Sequence, residues 1–413
     1  MVSALDDTKQ PQVSFKYKKY RHTERGINIM IYMSEEQQKI RESVREFTQK
    51  RVTPLAQQID KNADIPSNLR KELAQQGYYE RIVPKEYGGL GQGQVELCIQ
   101  QEELGRGSAS VASTVLASVL GQTPMLLYGD KEQIERFAIP IMKGEAVGAF
   151  GLTEPKHGSD FASIESTAVR DGHEYVLNGS KLYIDNTSYA QFFTIWAKTD
   201  TAVVPKHKGI SAFVVERDHP GFKIDMIDDL LGLRGLGVGG FSYRNCRVPA
   251  KNRIGEEGQG FYMAMSVLER GRTPVAAMNV GIAQAALDAA KDFAMHRIQF
   301  GQPIAEFQAI QWMIADMATS VEAARLLTYN AARLIDAGGR HDREACMAKL
   351  FAVETSFQTT HKALQIHGAR GCTKEWPVER MFRDARIFSI GEGTVEMQRM
   401  VIARHELQLS KGK

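Results

Sequence analysis

The spacing of apolar residues changes twice along this 413-residue chain. Up to about residue 146, apolar positions recur three or four residues apart, as at Ile40, Val44 and Phe47, which is the period of one helix face. Between about residues 149 and 255, the apolar segments are short, rich in β-branched and aromatic residues, and bounded by turn-forming residues. From Gly260 onward, long stretches with the helical period return. We therefore expect helices, then strands, then helices.

This order predicts a multidomain α and β protein. We expect an N-terminal all-helical domain over residues 34–146 and a middle antiparallel β domain, a sandwich or barrel, over residues 147–256. A C-terminal helical bundle domain should follow over residues 257–413. Residues 1–33 are expected to be a separate, flexible extension, whose basic and aromatic residues indicate either a solvated segment or a nucleic-acid or membrane contact. We favour the solvated segment, because no helical period accompanies the charge.

Three local signals refine this prediction. Ser34 with Gln37 three residues later is a capping-box pattern, so the first helix should begin there. Pro54 should break or kink that helix, because proline lacks the N–H that a helix needs. The tripeptide at residues 178–180, Asn-Gly-Ser between two alternating runs, predicts a β-hairpin.

Charge and cysteine content narrow the class of partner. The net charge of +3 is too mild to require a nucleic-acid partner. The four cysteines lie far apart and show no metal-ligand spacing, which predicts reduced thiols, no disulfide framework and no metal site. No stretch approaches the roughly 20 apolar residues of a membrane span, and no signal peptide opens the chain. We expect a cytoplasmic protein with no stable membrane anchor.

Two segments of the middle region suit a ligand. In "GLTEPKHGSDF", residues 151–161, Thr153 and Ser159 offer hydroxyls in a loop held open by proline and glycine, which suits a polar ring edge, a phosphate or simply a capped turn. In "KLYIDN", Tyr183 and Asp185 are two residues apart, which on a strand places them on one face. They could hold a flat heterocycle or form a surface pair.

The C-terminal region carries further candidates. Arg297 precedes a Phe-Gly-Gln-Pro turn, so its guanidinium should stand at a helix end, either facing a pyrophosphate or complementing the helix dipole. Gly368 and Gly371 open a loop after a helix, which alone is weak evidence for a phosphate site, and His367 is expected to be a packed histidine. Glu392, between two glycines in "SIGEGTVEMQR", is either part of a capping turn or a catalytic carboxylate.

Four strings follow one another over about 250 residues: "LTEPKHGSD", "RIQFGQPIAEFQAIQ", "QIHGARG" and "GEGTVEMQR". With the order of helices and strands around them, the chain from about Ser34 to its C-terminus resembles the acyl-CoA dehydrogenases. The resemblance implies an N-terminal helical domain, a β-barrel and a four-helix bundle, assembled as a homotetramer. It implies an FAD enzyme that converts an acyl-CoA thioester to the trans-2-enoyl-CoA and passes electrons to an electron-transferring flavoprotein.

The resemblance also implies a role for individual residues. Glu392 becomes the base that removes the α-proton, while the β-hydride leaves for flavin N5. Residues implied in FAD binding, partly from a neighbouring subunit, are Phe150, Leu152, Thr153, Ser159, Tyr183, Asp185, Arg297, Phe300, Gln308, Gln365, Ala369, Thr394 and Glu396. Residues implied in contacts with the acyl-CoA are Ser159, Glu269, Arg272 and Gly393. The acyl pocket is expected to draw on the helices around residues 100–104 and 262–270.

Several positions depart from the family pattern. Asp185 stands where the family has a threonine or serine that donates to the flavin, and Lys156-His157 replaces two small residues. Gly391 replaces a tyrosine, which leaves room for a bulky acyl group, and Gly271 leaves the family's alternative base position without a carboxylate. The Asp185 departure keeps open a flavin acyl-CoA oxidase, an enoyl-CoA reductase or an eliminase on the same scaffold. A non-enzymatic acyl-CoA-binding protein is disfavoured, because the base and the flavin contacts are both present.

Overall fold

The computed structural model describes residues 33–339 and 341–409, so all but Met33 of the predicted extension lies outside the described residues. The first helices are α1 Glu35–Phe47, α2 Ala56–Asn62, α3 Ser67–Gln75, α4 Gln94–Gly107, α5 Ala109–Tyr128, α6 Lys131–Gln133 and α7 Ile139–Met142. Eight strands follow: β1 Gly148–Gly151, β2 Thr167–Asp171, β3 Glu174–Ile184, β4 Phe192–Lys198, β5 Ile210–Glu216, β6 Phe222–Ile227, β7 Gly239–Pro249 and β8 Arg253–Ile254. The remaining elements are α8 Gly260–His296, β9 Ile298–Gln299, β10 Gln302–Pro303, α9 Gln308–Asp336, α10 Asp342–His367, α11 Pro377–Ile387 and α12 Val395–Glu406. The predicted succession of helices, strands and helices is confirmed.

The start of α1 follows the predicted capping box. The Ser34 hydroxyl accepts from the Gln37 N–H at 3.2 Å, and the Gln37 side chain accepts from the Ser34 N–H at 3.0 Å. Pro54 also acts as predicted: a π-helical turn at Thr48–Val52 and a 3₁₀ turn at Thr53–Leu55 separate α1 from α2. The regular α-helix is therefore interrupted where proline removes a backbone donor.

The middle region forms one eight-stranded sheet in the order β6-β7-β3-β2-β4-β5-β8, with β1 paired to β4. Most pairs are antiparallel, as predicted, but β1 and β2 each pair with β4 in parallel. β1 arrives directly from the helical region and joins the sheet beside β4. The sheet is therefore mixed rather than wholly antiparallel.

The hairpin predicted at residues 178–180 is wrong. The turn lies instead at Gly172-His173, and β3 runs uninterrupted through Asn178 and Gly179 to pair with both β2 and β7. Gly179 has φ 157°, and a Cβ there would collide with the Ser166 side chain of a neighbouring segment. The glycine therefore serves close packing and a register shift within the sheet, rather than a turn.

Helix α8, 37 residues long, packs against α4 of the first helical region and against α9 and α10 of the second. Pro274 lies inside α8 and cannot donate to the carbonyl of Arg270. The side-chain amide of Gln94, from α4, donates to that carbonyl instead. Glycines at Gly105 and Gly281 bring the two helices into backbone contact. The two helical regions are thus joined along α8.

One described helix, α5, is long and apolar enough to cross a membrane by length and composition alone, contrary to the prediction that no stretch approaches this. However, 89% of its apolar window is buried inside the protein. Because α5 packs on α4, α8 and β1, we interpret it as the core helix between the helical and β regions.

Gly281→Ala should destabilise the fold, because the added Cβ would collide with the carbonyl oxygen of Glu102 across the α4–α8 contact. We expect a loss of about 1–3 kcal/mol in the free energy of unfolding, measured by denaturant titration. Gly339→Ala is the control, because its Cβ would lie at 3.8 Å from its nearest neighbour. Equal stability of the two variants would contradict the assigned contact.

Candidate active site

Glu392 lies in the short segment between α11 and α12 and adopts a left-handed backbone conformation, with φ 55°. The Gly391 N–H bonds to the Ile387 carbonyl, and the Val395 N–H bonds to the Ser389 carbonyl, so the segment closes on itself. Within residues 33–339 and 341–409, the Glu392 N–H has no hydrogen-bond acceptor. The segment therefore presents both a carboxylate and a free backbone donor.

The carboxylate faces α8 and α5. A Cβ built on Gly271 would lie 3.8 Å from Glu392 Oε2 and 3.2 Å from the Leu120 side chain. Glycine at position 271 therefore lets α8 pass close to Leu120 and to the Glu392 carboxylate, because even a Cβ would be crowded against Leu120 there. A carboxylate side chain carried at position 271 would therefore begin next to the position of the Glu392 carboxylate.

Lys349 on α10 is fully buried beside this segment. Its ammonium donates to the carbonyl oxygen of Gly391 at 2.7 Å and to that of Gly393. These carbonyls belong to the two neighbours of Glu392. The lysine was missed by sequence reasoning, although its signal was a single charge in the apolar stretch "ACMAKLFAV" of a helix.

Opposing influences act on the Glu392 carboxyl. Burial raises its pKa, while the positive charges of Lys349 and Arg272 act to lower it, and the net direction is upward. Burial lowers the pKa of Lys349 to about 8. A carboxyl with a raised pKa, held in a partly closed site, has the properties of a general base near neutral pH.

Asp185 also contributes to this site, but not as predicted. β3 ends at Ile184, so Asp185 lies in the following turn, and Tyr183 has a left-handed backbone with φ 57°. The alternation of side chains that would put the two residues on one face is therefore broken, and that prediction is wrong. Burial and the charge of Glu392 raise the pKa of the Asp185 carboxyl to about 7. The two carboxyls are therefore close enough for the charge of Glu392 to act on Asp185.

The loop at residues 151–161 is anchored by a buried ion pair that the sequence did not reveal. Lys181 donates to Glu154 at 2.9 Å and to the Leu152 carbonyl at 3.2 Å. Glu154 also accepts from the N–H groups of Glu165 and Ser166. Burial opposes ionisation of Glu154, yet Lys181 and these hydrogen bonds hold its pKa below the usual range. The pair fixes both ends of the loop.

This loop and the end of β3 leave several groups open to a ligand. Among the described residues, the hydroxyls of Thr153 and Ser159 have no hydrogen-bond partner, and Tyr183 is 61% exposed. The ring of Phe150, at the start of the loop, packs on that of Trp196 with a centroid distance of 4.6 Å. Leu152 is partly buried. Free hydroxyls next to an exposed aromatic ring fit the polar edge and flat face of a flavin.

The other predicted FAD contacts lie elsewhere. Arg297 ends α8, Phe300 is 94% exposed at φ 51° in the β9–β10 turn, and Gln308 begins α9. Gln365 and Ala369 lie exposed at the end of α10. In the described part of the chain, the side chains of Arg297, Gln308 and Gln365 make no hydrogen bond or ion pair. They form a second polar cluster.

The two clusters lie at opposite ends of α10. Lys349 marks the end near Glu392, whereas His367 marks the far end, where it stacks on Phe293 of α8 at 4.3 Å. The predicted packed role of His367 is confirmed, since its Nδ1 also bonds to the Ala363 carbonyl at 2.8 Å. Eighteen residues of helix separate the two ends by about 27 Å. The second polar cluster is therefore separate from the Glu392 segment.

The remaining predicted residues have mixed surroundings. Thr394 is the N-cap of α12, with its hydroxyl accepting from the Met397 N–H, and Glu396 is exposed in the first turn. Both therefore also have a local capping role. Glu269 and Arg272 are partly exposed on α8, and within the described residues the Arg272 guanidinium has no hydrogen bond or ion pair. It remains available to an anionic substrate group.

The turn predicted to line the acyl pocket is largely occupied by internal contacts. Gln100 donates to the Tyr78 carbonyl, Glu102 pairs with Arg325, and Glu103 pairs with Arg41. Only the fully buried Gln101 amide in this turn lacks a partner among the described residues.

No group of three or more His, Cys, Asp or Glu side chains suited to holding a metal ion occurs within the described ranges. The cysteines Cys98, Cys246, Cys346 and Cys372 are free thiols.

Comparison with known proteins gives consistent matches. Models of the acyl-CoA dehydrogenase N-terminal, middle and C-terminal domains match residues 34–145, 149–246 and 258–407. The chain is 41% identical to the 3-(aryl)acrylate reductase of Clostridium sporogenes over 92% of this chain and 100% of that protein.

Two solved structures share the fold. Butyryl-CoA dehydrogenase from Megasphaera elsdenii matches with a TM-score of 0.88 and 36% identity over 91% of this chain and 99% of that one. A chain in the structure described as "Electron transferring flavoprotein of Acidaminococcus fermentans" matches with a TM-score of 0.89 and 39% identity, over 91% and 99%. The agreement extends over all three regions of the chain.

Asp185→Asn should change the pH dependence of stability. Below pH 3.8 both states hold the Asp185 proton, and between that pH and about 7 only the folded state keeps it, so the wild type loses stability as pH rises through this window. The asparagine variant lacks this loss. Its melting temperature should rise relative to the wild type from pH 5 to pH 8, whereas exposed Asp218→Asn should show a constant difference. If the difference in melting temperature between Asp185→Asn and the wild type did not change with pH, the placement of the Asp185 carboxyl in a buried environment would be contradicted.

Proposed function

The chain belongs to the acyl-CoA dehydrogenase family, and on that premise we propose that it oxidises a short acyl-CoA to the trans-2-enoyl-CoA with Glu392 as base. The observation that carries the proposal is the segment around Glu392. It holds a carboxylate of raised pKa beside Gly271 and a backbone N–H that has no acceptor among the described residues. A thioester whose carbonyl accepts from that N–H would acidify its α-proton beside the carboxylate.

The residues of the loop and of β3 fit the cofactor that the family uses, FAD. Thr153 and Ser159 offer free hydroxyls, Tyr183 offers an exposed ring, and the Lys181–Glu154 pair holds the loop that carries them. Bound FAD supplies the acceptor for the β-hydride. The chain's own part is to hold the loop, remove the α-proton at Glu392 and polarise the thioester carbonyl with the Glu392 N–H.

The substrate class follows from the space around the base. Leu120 stands next to Gly271 and limits depth there, while a Cβ on Gly391 would meet only the Ile387 carbonyl, at 3.7 Å. A short acyl group with room for a branch near its α and β carbons fits this space. The structural similarity to a butyryl-CoA dehydrogenase supports the short chain. The unpaired Arg272 is suited to the phosphates of CoA.

We also propose that a second copy of the chain completes each FAD site. The exposed polar cluster at the far end of α10 lies too far from Glu392 to join the same site within one chain. Large apolar side chains are exposed around it, at Met295, Ile298, Phe300 and Trp312, and such a patch is typical of a protein contact. A homotetramer with two-fold interfaces would place this cluster beside the flavin loop of a neighbour.

The proposal also includes an electron acceptor, an electron-transferring flavoprotein, and a cellular location, the cytoplasm. The similarity to a chain from an electron-transferring flavoprotein structure supports such a flavoprotein as the acceptor. Free thiols, three of them buried, support the cytoplasm. A soluble acceptor and a cytoplasmic enzyme are compatible with each other.

An enoyl-CoA reductase is a second candidate, because the Asp185 carboxyl has its pKa raised to about 7 beside Glu392. A carboxyl whose pKa is raised can stay protonated and return a proton to the α-carbon, and in this direction Glu392 would act as the acid. The relative in Clostridium sporogenes carries out a reduction by its name. Rates with an acyl-CoA plus an artificial acceptor, compared with rates with an enoyl-CoA plus a reductant, separate the two directions. Hydrogen peroxide formation would instead indicate an oxidase.

Glu392→Gln should keep the fold and the bound FAD but lose activity, because an amide cannot take the α-proton. We expect the turnover number to fall about 100- to 10,000-fold, measured with butyryl-CoA and an artificial electron acceptor. Exposed Glu256→Gln is the matched control and should turn over at the wild-type rate. Turnover of Glu392→Gln at the wild-type rate would place the base elsewhere.

Mixing two inactive variants should test the shared site. In Glu392→Gln the base is lost, and in Arg297→Ala a charged contact to FAD is lost, so each alone should be nearly inactive. If Arg297 serves a neighbour, subunits mixed by unfolding and refolding should regain roughly a quarter of wild-type activity, since half of the pairs hold one intact site. No regain above the two separate variants would mean that each chain builds its site alone.

A further inference from the structure

We propose that Lys349 is a positioning residue that holds Glu392 in place by binding the carbonyl groups on both sides of it. The inference rests on the proposed role of Glu392 as base and extends it to a residue that touches neither substrate nor cofactor. The two hydrogen bonds, to Gly391 at 2.7 Å and to Gly393, join α10 to the segment between α11 and α12. The Gln398 side-chain amide of α12 also donates to the Gly393 carbonyl, at 3.1 Å, so Lys349 supplies the part of this anchoring that comes from α10.

Because Lys349 is fully buried, its ammonium requires these hydrogen bonds. A fully buried ammonium loses its hydration and is retained in proteins only where charges and hydrogen bonds replace it. Around Lys349 on α10 the helix is apolar, with Ala345, Ala348 and Ala352 also fully buried. The ammonium therefore has its acceptors on the neighbouring segment rather than on its own helix.

The backbone at Glu392 needs such support. Glu392 carries a side chain in the left-handed region, which non-glycine residues rarely adopt, and the next residue, Gly393, has φ 84°. The Gly391 and Gly393 carbonyls flank this conformation, so fixing both defines the direction in which the carboxylate leaves the chain. A segment freed from Lys349 could relax and turn the carboxylate away from Gly271.

The charge of Lys349 acts in addition to its hydrogen bonds. Three further groups interact electrostatically with Lys349 or Glu392: Arg272 from α8, Asp185 from the turn after β3, and Cys346 from α10. Lys349 and Arg272 lower the pKa of Glu392, against burial. Loss of the ammonium should therefore raise the pKa of the base and move the acidic limb of the pH–rate profile to higher pH.

Lys349→Met tests the proposal, because methionine fills similar space without donors or charge. We expect purified variant to retain FAD, to lose at least tenfold in turnover number with butyryl-CoA, and to show its acidic limb at higher pH. Hydrogen–deuterium exchange should accelerate in residues 388–397 only. Lys362→Met on the same helix, which loses a pair with Asp316 near the surface, is the control and should match the wild type. Wild-type turnover with an unmoved pH profile in Lys349→Met would overturn the proposal.

A double variant separates the proposal from the assignment of the base. If Lys349 acts through Glu392, Lys349→Met in the Glu392→Gln background should not lower the residual rate further. An equal fold-loss of turnover number in both backgrounds would overturn the positioning role, while the Glu392→Gln result alone decides whether Glu392 is the base.

If Lys349→Met folds poorly, Lys349→Gln can be used instead, because its side-chain amide retains an N–H donor group without a charge. It should restore part of the turnover number while keeping the raised acidic limb, and a profile identical to the wild type would again contradict the proposal.

Discussion

The close contact between α4 and α8 is the constraint on which the rest of the molecule depends. Two glycines, Gly105 and Gly281, allow backbone to meet backbone there, and the Gln94 amide satisfies the carbonyl that Pro274 leaves unpaired. Because α8 then runs through the bundle, it fixes Gly271 and Arg272 beside the segment of Glu392 and ends at the second polar cluster. A helix shifted by one turn would misplace both.

The site itself is a balance of charges in a partly closed space. Burial raises the pKa of Glu392, and the positive charges of Lys349 and Arg272 offset part of that effect. Asp185 adds a second carboxyl, and the charge of Glu392 contributes, after burial, to raising its pKa to about 7. The chain therefore differs from a site with one carboxylate and a neutral hydroxyl, because the protonation of Asp185 depends in part on the charge of Glu392.

The sequence predicted the parts that depend on local pattern. Periodicity placed the helical and β regions, the capping pattern located the start of α1, and the glycines around Glu392 singled out the segment that we propose carries the base. Long-range contacts were not predictable. Asn178-Gly179 resembles a hairpin turn in sequence, but the glycine serves packing against Ser166. Asp185 does not lie on the expected face of the strand, because Tyr183 adopts a left-handed backbone conformation. The partners of Lys181 and Lys349 are 27 and 42 residues away in sequence, beyond the reach of any local pattern.

The central claim is that the chain removes hydrogen from the α and β carbons of a short acyl-CoA. The most direct measurement is anaerobic titration of the FAD-loaded protein with straight, branched, cyclic and aryl acyl-CoAs while the flavin absorption is followed. The account predicts that short acyl-CoAs bleach the flavin and yield the corresponding trans-2-enoyl-CoA. A flavin that stays oxidised with every acyl-CoA, in protein that binds these thioesters, would contradict it.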